Sequence, residues 1–185
     1  HGIPAKADKA KQEAFIPYYK KLKSDLPKDE VIYFLDASHP QHQTKLAYGW
    51  IAKGVRKPEK MTACQKRVNL IAGINLADHH VEYAEAKWIN GESIEVFLKQ
   101  LINAKPAAKK IQIIWDNAGY HKSQAIRDFI KTTNIELHFL PPYSPNLNPI
   151  ERLWKIMHEQ VTYNRYDPKF SDFTEGILNF FKHIE

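Results

Sequence analysis

An α/β fold built on a mixed sheet follows from two observations. Short runs rich in β-branched and aromatic residues come first, and later runs of the same kind alternate with stretches whose apolar residues recur at helical spacing. Consecutive strands in a meander pair antiparallel, whereas strands separated by a helix pair parallel, so this order predicts one sheet containing both kinds of pair, flanked by helices.

Each element has its own reason. His1-Gly2 before Ile3-Pro4 reads as a junction and is set aside. From about Ala5 to Leu26, Phe15, Tyr18, Tyr19 and Leu22 share one helical face, and Pro17 inside that pattern predicts a kink or a division. Val31–Asp36 is an apolar run of β-formers that ends on a carboxylate. A second strand is expected from Thr44 to Ile51. Lys53–Arg67 then carries six Lys/Arg against the single acid Glu59, which is +5 of the chain's net +6. It reads as a basic hairpin loop, with a solvated loop lacking any partner as the competing reading. Val68–Leu76 and Val81–Trp88 are two further strands around an Asp78-His79-His80 turn, a metal-binding or merely exposed group. Gly91–Asn103 is a helix with Ile94, Phe97, Leu98, Leu101 and Ile102 inward, stopped by Lys105-Pro106. Ile111–Asp116 is a second apolar strand ending on an aspartate. A helix with Ile126, Phe129 and Ile130 follows, then a strand from Ile135 to Leu140. The last helix starts near Ser171 and buries Phe173, Ile177, Phe180, Phe181 and Ile184. Trp50 and Trp115 read as core.

Composition bounds the function without naming it. A chain of 185 residues with a 43% hydrophobic and 26% charged content is long enough to bury a sizeable core and is expected to be a soluble globular protein. A single cysteine, Cys64, excludes an internal disulfide and fits a reducing compartment. Apolar runs are far too short to cross a membrane. The net charge of +6 permits a polyanionic partner and does not require one.

The chemistry concentrates in three carboxylates. Two apolar strands each run into an aspartate, Asp36 and Asp116. Laid side by side and parallel, they bring both acids to one edge of the sheet, where α/β proteins place their sites. Two such acids repel unless a hard divalent cation such as Mg²⁺ or Mn²⁺ lies between them. The third is Glu151. Four prolines (Pro141, Pro142, Pro145 and Pro149) stiffen the loop before it, and Ile150, Leu153, Trp154, Met157 and Val161 then recur at helical spacing. Asn148 reads as the N-cap and Pro149 as the first helical residue, so Asn148-x-x-Glu151 also fits a capping box, a purely structural use of the glutamate. Glu151 falls about 100° round the helix from Ile150, on the flank of the buried face, and Lys155 and His158 share that flank within reach of a phosphate.

These residues resemble a known family. Asp36, then Asp116-Asn117-Ala-x-x-His121, then Pro-Pro-Tyr-Ser-Pro-x-Leu-Asn-Pro-Ile-Glu ending at Glu151 are similar to the DDE catalytic domain of Tc/mariner-superfamily transposases, most of all its bacterial insertion-sequence branch. The 34 residues between Asp116 and Glu151 match that superfamily's spacing. The resemblance implies an RNase H-like mixed five-stranded sheet over residues 31–185, preceded by a linker-helix region over residues 1–30, with the family's helix-turn-helix DNA-binding region outside this chain. It implies nicking at transposon ends and strand transfer by the freed 3′-hydroxyl, with Asp36, Asp116 and Glu151 holding two Mg²⁺ ions for which Mn²⁺ substitutes. The implied partners are transposon-end and target DNA and a second copy of the chain in a homodimer. The implied setting is the bacterial cytoplasm at the nucleoid. Asn117 and His121 are candidate accessory residues. Arg56, Lys57, Lys66, Arg67, Lys122, Arg152 and Lys155 are candidate DNA contacts. Many relatives carry Glu after the first Asp where this chain has Ala37. Another RNase H-like nuclease and a non-catalytic DNA-binding remnant are the alternative readings.

Overall fold

The sheet is organised around its middle strand. A computed structural model describes residues 8–47, 52–54, 60–61, 63–116 and 123–184. In chain order these form α1 (Lys9–Ser24), β1 (Glu30–Ser38), β2 (Gln41–Gln43), β3 (Ala63–Arg67), β4 (Leu70–Ile74), β5 (Val81–Glu85), α2 (Gly91–Ala104), β6 (Lys110–Trp115), α3 (Gln124–Lys131), β7 (Ile135–Phe139), α4 (Ile150–Met157) and α5 (Phe170–Lys182). Five strands make one sheet in the order β5-β4-β1-β6-β7, and β2 and β3 make a separate two-stranded ribbon. β1 pairs antiparallel with β4 and parallel with β6, so the mixed sheet expected from the element order is the one that forms.

The pleat divides β1 between two cores. Tyr33 and Leu35 join the cluster under α2 and α3, with Ile94, Phe97, Leu98, Leu101 and Ile126. Ile32 and Phe34 face the other way, against Phe15 of α1, Ile114 and Leu140. On that second face, β4 contributes Leu70 and Ala72 to a neighbouring cluster with Ile150, Leu153, Trp154 and Met157 of α4 and Phe173, Ile177 and Phe181 of α5. Asp36 shares the parity of Ile32 and Phe34. It therefore lies on the face covered by α1 and α4, between two hydrophobic clusters.

Several expectations are corrected. α1 is one unbroken helix with Pro17 inside it. The bond that Pro17 removes is to the carbonyl of Glu13, and both residues are exposed, so water satisfies that carbonyl. The strand expected over Thr44–Ile51 is absent from its described part: β2 ends at Gln43, and Lys45 makes only a single bridge to Tyr163. Asn164, at φ 54°, holds the chain there instead, accepting from Ala47 N at 2.8 Å and donating to Ala47 O at 3.0 Å. The basic segment is in part a hairpin arm, since Lys66 and Arg67 belong to β3. Trp115 is fully buried, as expected, while Trp50 lies outside the described residues. The Asp78-His79-His80 turn is structural: Asp78 pairs with Lys105 at 2.9 Å and His80 Nδ1 meets Tyr33 Oη at 2.8 Å.

α1 packs as part of the sheet's second face through Phe15, with Tyr19 edge-on to Phe34 at 5.3 Å between centroids. Truncating Phe15→Ala is expected to cost about 3 kcal/mol, read as a lower urea midpoint at unchanged m-value. An unchanged midpoint removes α1 from the cooperative core.

Candidate active site

Asp36 does not end its strand. β1 runs on to Ser38, with Asp36 opposite Ala72 and Ala37 opposite Ile71, because the antiparallel partner β4 continues after the parallel partner β6 has stopped. Asp116 is the first residue beyond β6 and is exposed. The parallel register sets Phe34 opposite Ile114. Carried on by two residues, which restores the same side of the pleat, it brings Asp36 level with Asp116. The side-by-side aspartates expected from the sequence are thus a consequence of strand register.

Glu151 reaches them through the proline arm, and the arm is anchored at both ends. Gln12 of α1 donates from Nε2 to Ser144 Oγ at 2.9 Å and accepts from Asn146 Nδ2 at 3.4 Å. Ser144 Oγ in turn donates to the carbonyl of Pro142 at 3.2 Å. Beyond a 3₁₀ turn at Pro145–Leu147, Asn148 Nδ2 donates to the carbonyl of Leu35 in β1, at 3.2 Å. Asn148 therefore ties the arm to the strand that carries Asp36. The capping box does not form: α4 begins at Ile150, and the Asn148 amide donates to the carbonyl of Pro145 at 3.0 Å, so it is not available to Glu151. Glu151 sits in the first turn of α4, where the helix dipole favours a negative charge.

Trp154 completes the set. Its indole Nε1 donates to Asp36 Oδ2 at 3.0 Å across 118 positions of sequence. The helical pattern marks Trp154 only as a core residue. Its one readable signal is that a buried indole N–H needs an acceptor.

The three carboxylates face one cleft of about 470 Å³, walled by Leu140, Pro142 and Tyr143 of the arm. Burial pushes the Asp36 carboxyl up to about 6, opposed by the bonds from Trp154 and from the Ala37 amide and reinforced by the charges of Glu151 and Asp116. Glu151 is an exposed residue whose carboxyl is only partly desolvated where it lines the cleft, and its pKa is also raised, first by that desolvation and then by the charge of Asp116. The three acids are electrostatic neighbours. Among the described residues, however, no three His, Cys, Asp or Glu side chains are grouped closely enough to hold a metal ion together.

Other candidates lie apart or outside. Asn117, His121, Lys122, Arg56 and Lys57 fall outside the described residues. Lys66 and Arg67 sit on β3, away from the cleft wall, with Lys66 Nζ 5.7 Å from the centroid of the Phe170 ring. Arg152 and Lys155 are exposed on α4 but do not line the cleft, and Lys155 pairs with Glu159 at 3.6 Å. His158 does not line the cleft either. Its Nδ1 meets Thr162 Oγ1 at 2.8 Å, its ring stacks on Tyr163, and burial lowers its pKa, which favours the neutral imidazole. The helix passes into a π-helical turn at His158–Thr162, closed by the Tyr163 amide on the His158 carbonyl at 2.8 Å, which brings Thr162 and Tyr163 against the His158 ring.

Comparison with known proteins adds independent findings. A family model described as DDE superfamily endonuclease matches residues 31–174. The Transposable element Tc3 transposase of Caenorhabditis elegans is 41% identical over 70 residues, covering 37% of this chain and 21% of that protein. An uncharacterized 39 kDa protein of insertion element IS630 from Shigella sonnei is 24% identical over 161 residues, covering 85% of this chain and 46% of that one. The chain thus spans less than half the length of either relative. The solved catalytic domain of Mos1 mariner transposase superposes with a TM-score of 0.62 at 18% identity, covering 100% of this chain and 85% of that one. Mos1 transposase in a paired-end complex with the left transposon end gives 0.68 at 19% identity, covering 100% and 58%. The fold is the RNase H-like fold of that catalytic domain.

The raised Asp36 makes stability depend on pH in a defined direction. Its carboxyl ionises near 3.8 in the unfolded chain and near 6 in the fold, so this contribution is full below pH 3.8 and is lost as pH rises through 6. In EDTA, Asp36→Asn, which keeps an acceptor for Trp154, is expected to be more stable than the parent at pH 8 by on the order of 2–3 kcal/mol. The gap should close below about pH 4 in thermal melts.

Proposed function

Because this chain belongs to the DDE superfamily of endonucleases, we propose that it is the catalytic domain of a transposase, cutting DNA at transposon ends and joining the freed 3′ ends to target DNA. The observation that carries this reading is the convergence of Asp36, Asp116 and Glu151 on one cleft, from two adjacent strands and the first turn of a helix. Water attacks phosphorus and breaks a P–O3′ bond, leaving a 3′-hydroxyl and a 5′-phosphate. That 3′-hydroxyl then attacks a target phosphodiester, forming a new P–O3′ bond as the target's own 3′-oxygen leaves.

The donor types suit a hard divalent cation, although the three carboxylates line the cleft without being drawn together around one ion. Three carboxylates and none of the described basic side chains line the cleft, and the pKa values of Asp36 and Glu151, raised first by burial, are raised further by neighbouring negative charge that a cation relieves. Asp36, Asp116 and Glu151 are the residues proposed to hold Mg²⁺, as a pair of ions, with Mn²⁺ able to replace it. Such ions supply Lewis-acid polarisation of the phosphodiester and a more acidic attacking water or 3′-hydroxyl. Solved Mos1 mariner complexes described as holding Mn and Mg support this assignment.

The chain's own residues do the positioning. Trp154 fixes one oxygen of Asp36 and so orients the carboxylate. The Asn148 bond to Leu35 holds the arm against β1, which limits how far Glu151 can drift from Asp36. The helix dipole at the start of α4 favours the ionised form of Glu151 against its partial desolvation in the cleft. At position 37 the backbone takes part, since the Ala37 amide favours the charged form of the Asp36 carboxyl.

DNA contacts are assigned to Lys66, Arg67, Arg152 and Lys155, together with Arg56, Lys57 and Lys122, and accessory roles to Asn117 and His121. Mos1 structures described as paired-end complexes support a homodimer as the working unit. No described helix is long and apolar enough to cross a membrane. The proposed setting is the cytoplasm, at the nucleoid during transposition.

Two measurements test the reading. With Mn²⁺ and transposon-end duplexes, the parent chain is expected to nick DNA and Asp116→Asn to abolish the nicks, whereas nicking that survives this change overturns the assignment. Replacing Lys66 and Arg67 by Gln should weaken DNA binding across sequences and reduce the salt slope by about one for each phosphate no longer neutralised. An unchanged slope removes β3 from the interface.

A further inference from the structure

Tyr143 is a bulky residue in a conformation that such residues rarely adopt. Its φ is 56°, in the left-handed region. Two other described non-glycine residues share positive φ, and each has a local reason: Asn164 bonds both backbone groups of Ala47, and His79 lies in the tight turn before β5. Tyr143 is the second residue of a turn led by Pro142, a position of positive φ that glycine or asparagine usually fills and that nothing in a tyrosine side chain favours. Among the described residues its hydroxyl makes no hydrogen bond and its ring meets no aromatic partner, and the residue is 57% exposed.

Its neighbours hold the conformation in place. Pro142 precedes it with a fixed φ, and Ser144 follows it, buried, donating back to Pro142 O and held by Gln12. Strain of this kind persists where the surroundings over-determine it, and it gathers at functional sites. The result is an aromatic side chain on a rigid mount, on the wall of the cleft that Asp36, Asp116 and Glu151 share.

We propose that Tyr143 is a positioning residue that stacks on the nucleobase flanking the phosphodiester presented to those three carboxylates. The inference rests on the reading of the cleft as a DNA site. Every nucleobase offers a π-face, so the contact tolerates sequence while setting the distance between base and carboxylates. A ring already fixed by its backbone loses little freedom on binding, which favours stacking over a mobile loop.

The test uses this chain with nicked duplexes that carry 2-aminopurine at single positions beside the nick, in Ca²⁺ so that binding is read without turnover. Stacking on Tyr143 should quench the 2-aminopurine at one position. Tyr143→Ala and Tyr143→Gly should lose that quench and bind roughly 5- to 100-fold more weakly. Tyr143→Trp should restore both. Gly relieves the positive φ, so its melting temperature should match or exceed that of the parent, and Mn²⁺ affinity should be the same in all four proteins. The proposal is overturned if the parent shows no quench at any position, if Ala retains it, if Trp fails to restore it, or if Ala loses Mn²⁺ affinity, which marks a role in shaping the loop. A Tyr143-dependent quench in a parent chain that nicks no DNA in Mn²⁺ overturns the transposase reading and leaves the stacking contact standing.

Discussion

The indole of Trp154 donating to Asp36 at 3.0 Å is the contact on which the architecture of the cleft turns. A carboxylate inside a paired strand, between two hydrophobic clusters, is costly to ionise, and burial lifts this one to about 6. The bond from Trp154 lowers that cost while docking α4 onto β1, so one interaction both supports the charge and places the helix. Burying Ile150, Leu153 and Met157 beside Trp154 makes the docking cooperative with the core. Moving α4 therefore disturbs Asp36 and Glu151 together.

The second constraint is the tether of the arm. Four prolines reduce the conformations open to the loop but do not select one of them. Selection comes from polar bonds at its two ends: Gln12 at Ser144 and Asn146, and Asn148 at the Leu35 carbonyl. Gln12, Ser144 and Asn148 are all buried, which makes the loss of a bond expensive and the position of the arm well determined. Glu151, two residues beyond Pro149, inherits that position. A helix that precedes the sheet in sequence is thus part of what positions its last carboxylate.

Much of this was legible in the chain order. The runs ending near Asp36 and Asp116, the proline-rich loop and the apolar stripe behind Glu151 locate the elements and the three acids, because hydrophobic period and proline act locally. Where reading failed, a local pattern was overridden by a bond or a surface that hydrophobic period does not encode. Asn148 has the spacing of a cap, yet its carboxamide nitrogen is drawn to β1 and its amide to Pro145. His158 has the spacing of an exposed flank, yet the π-helical turn that follows brings Thr162 and Tyr163 to its ring. Pro17 has the look of a break, yet the carbonyl it frees faces water. Thr44–Ile51 has strand composition, but the described part of the segment is held by the side chain of Asn164 and not by a ladder.

Sequence alone determined the class of fold, the order of its elements and the identity of the three acids, since each depends on residues close together along the chain. Tertiary structure alone decided that β1 runs past Asp36, that the register of β1 with β6 sets Asp36 level with Asp116, and that Trp154, Asn148 and Gln12 hold the cleft together. Those contacts join residues 113 to 132 positions apart. A hydrogen bond over such a separation leaves no period in the sequence, because its geometry exists only once the sheet has brought both partners into reach.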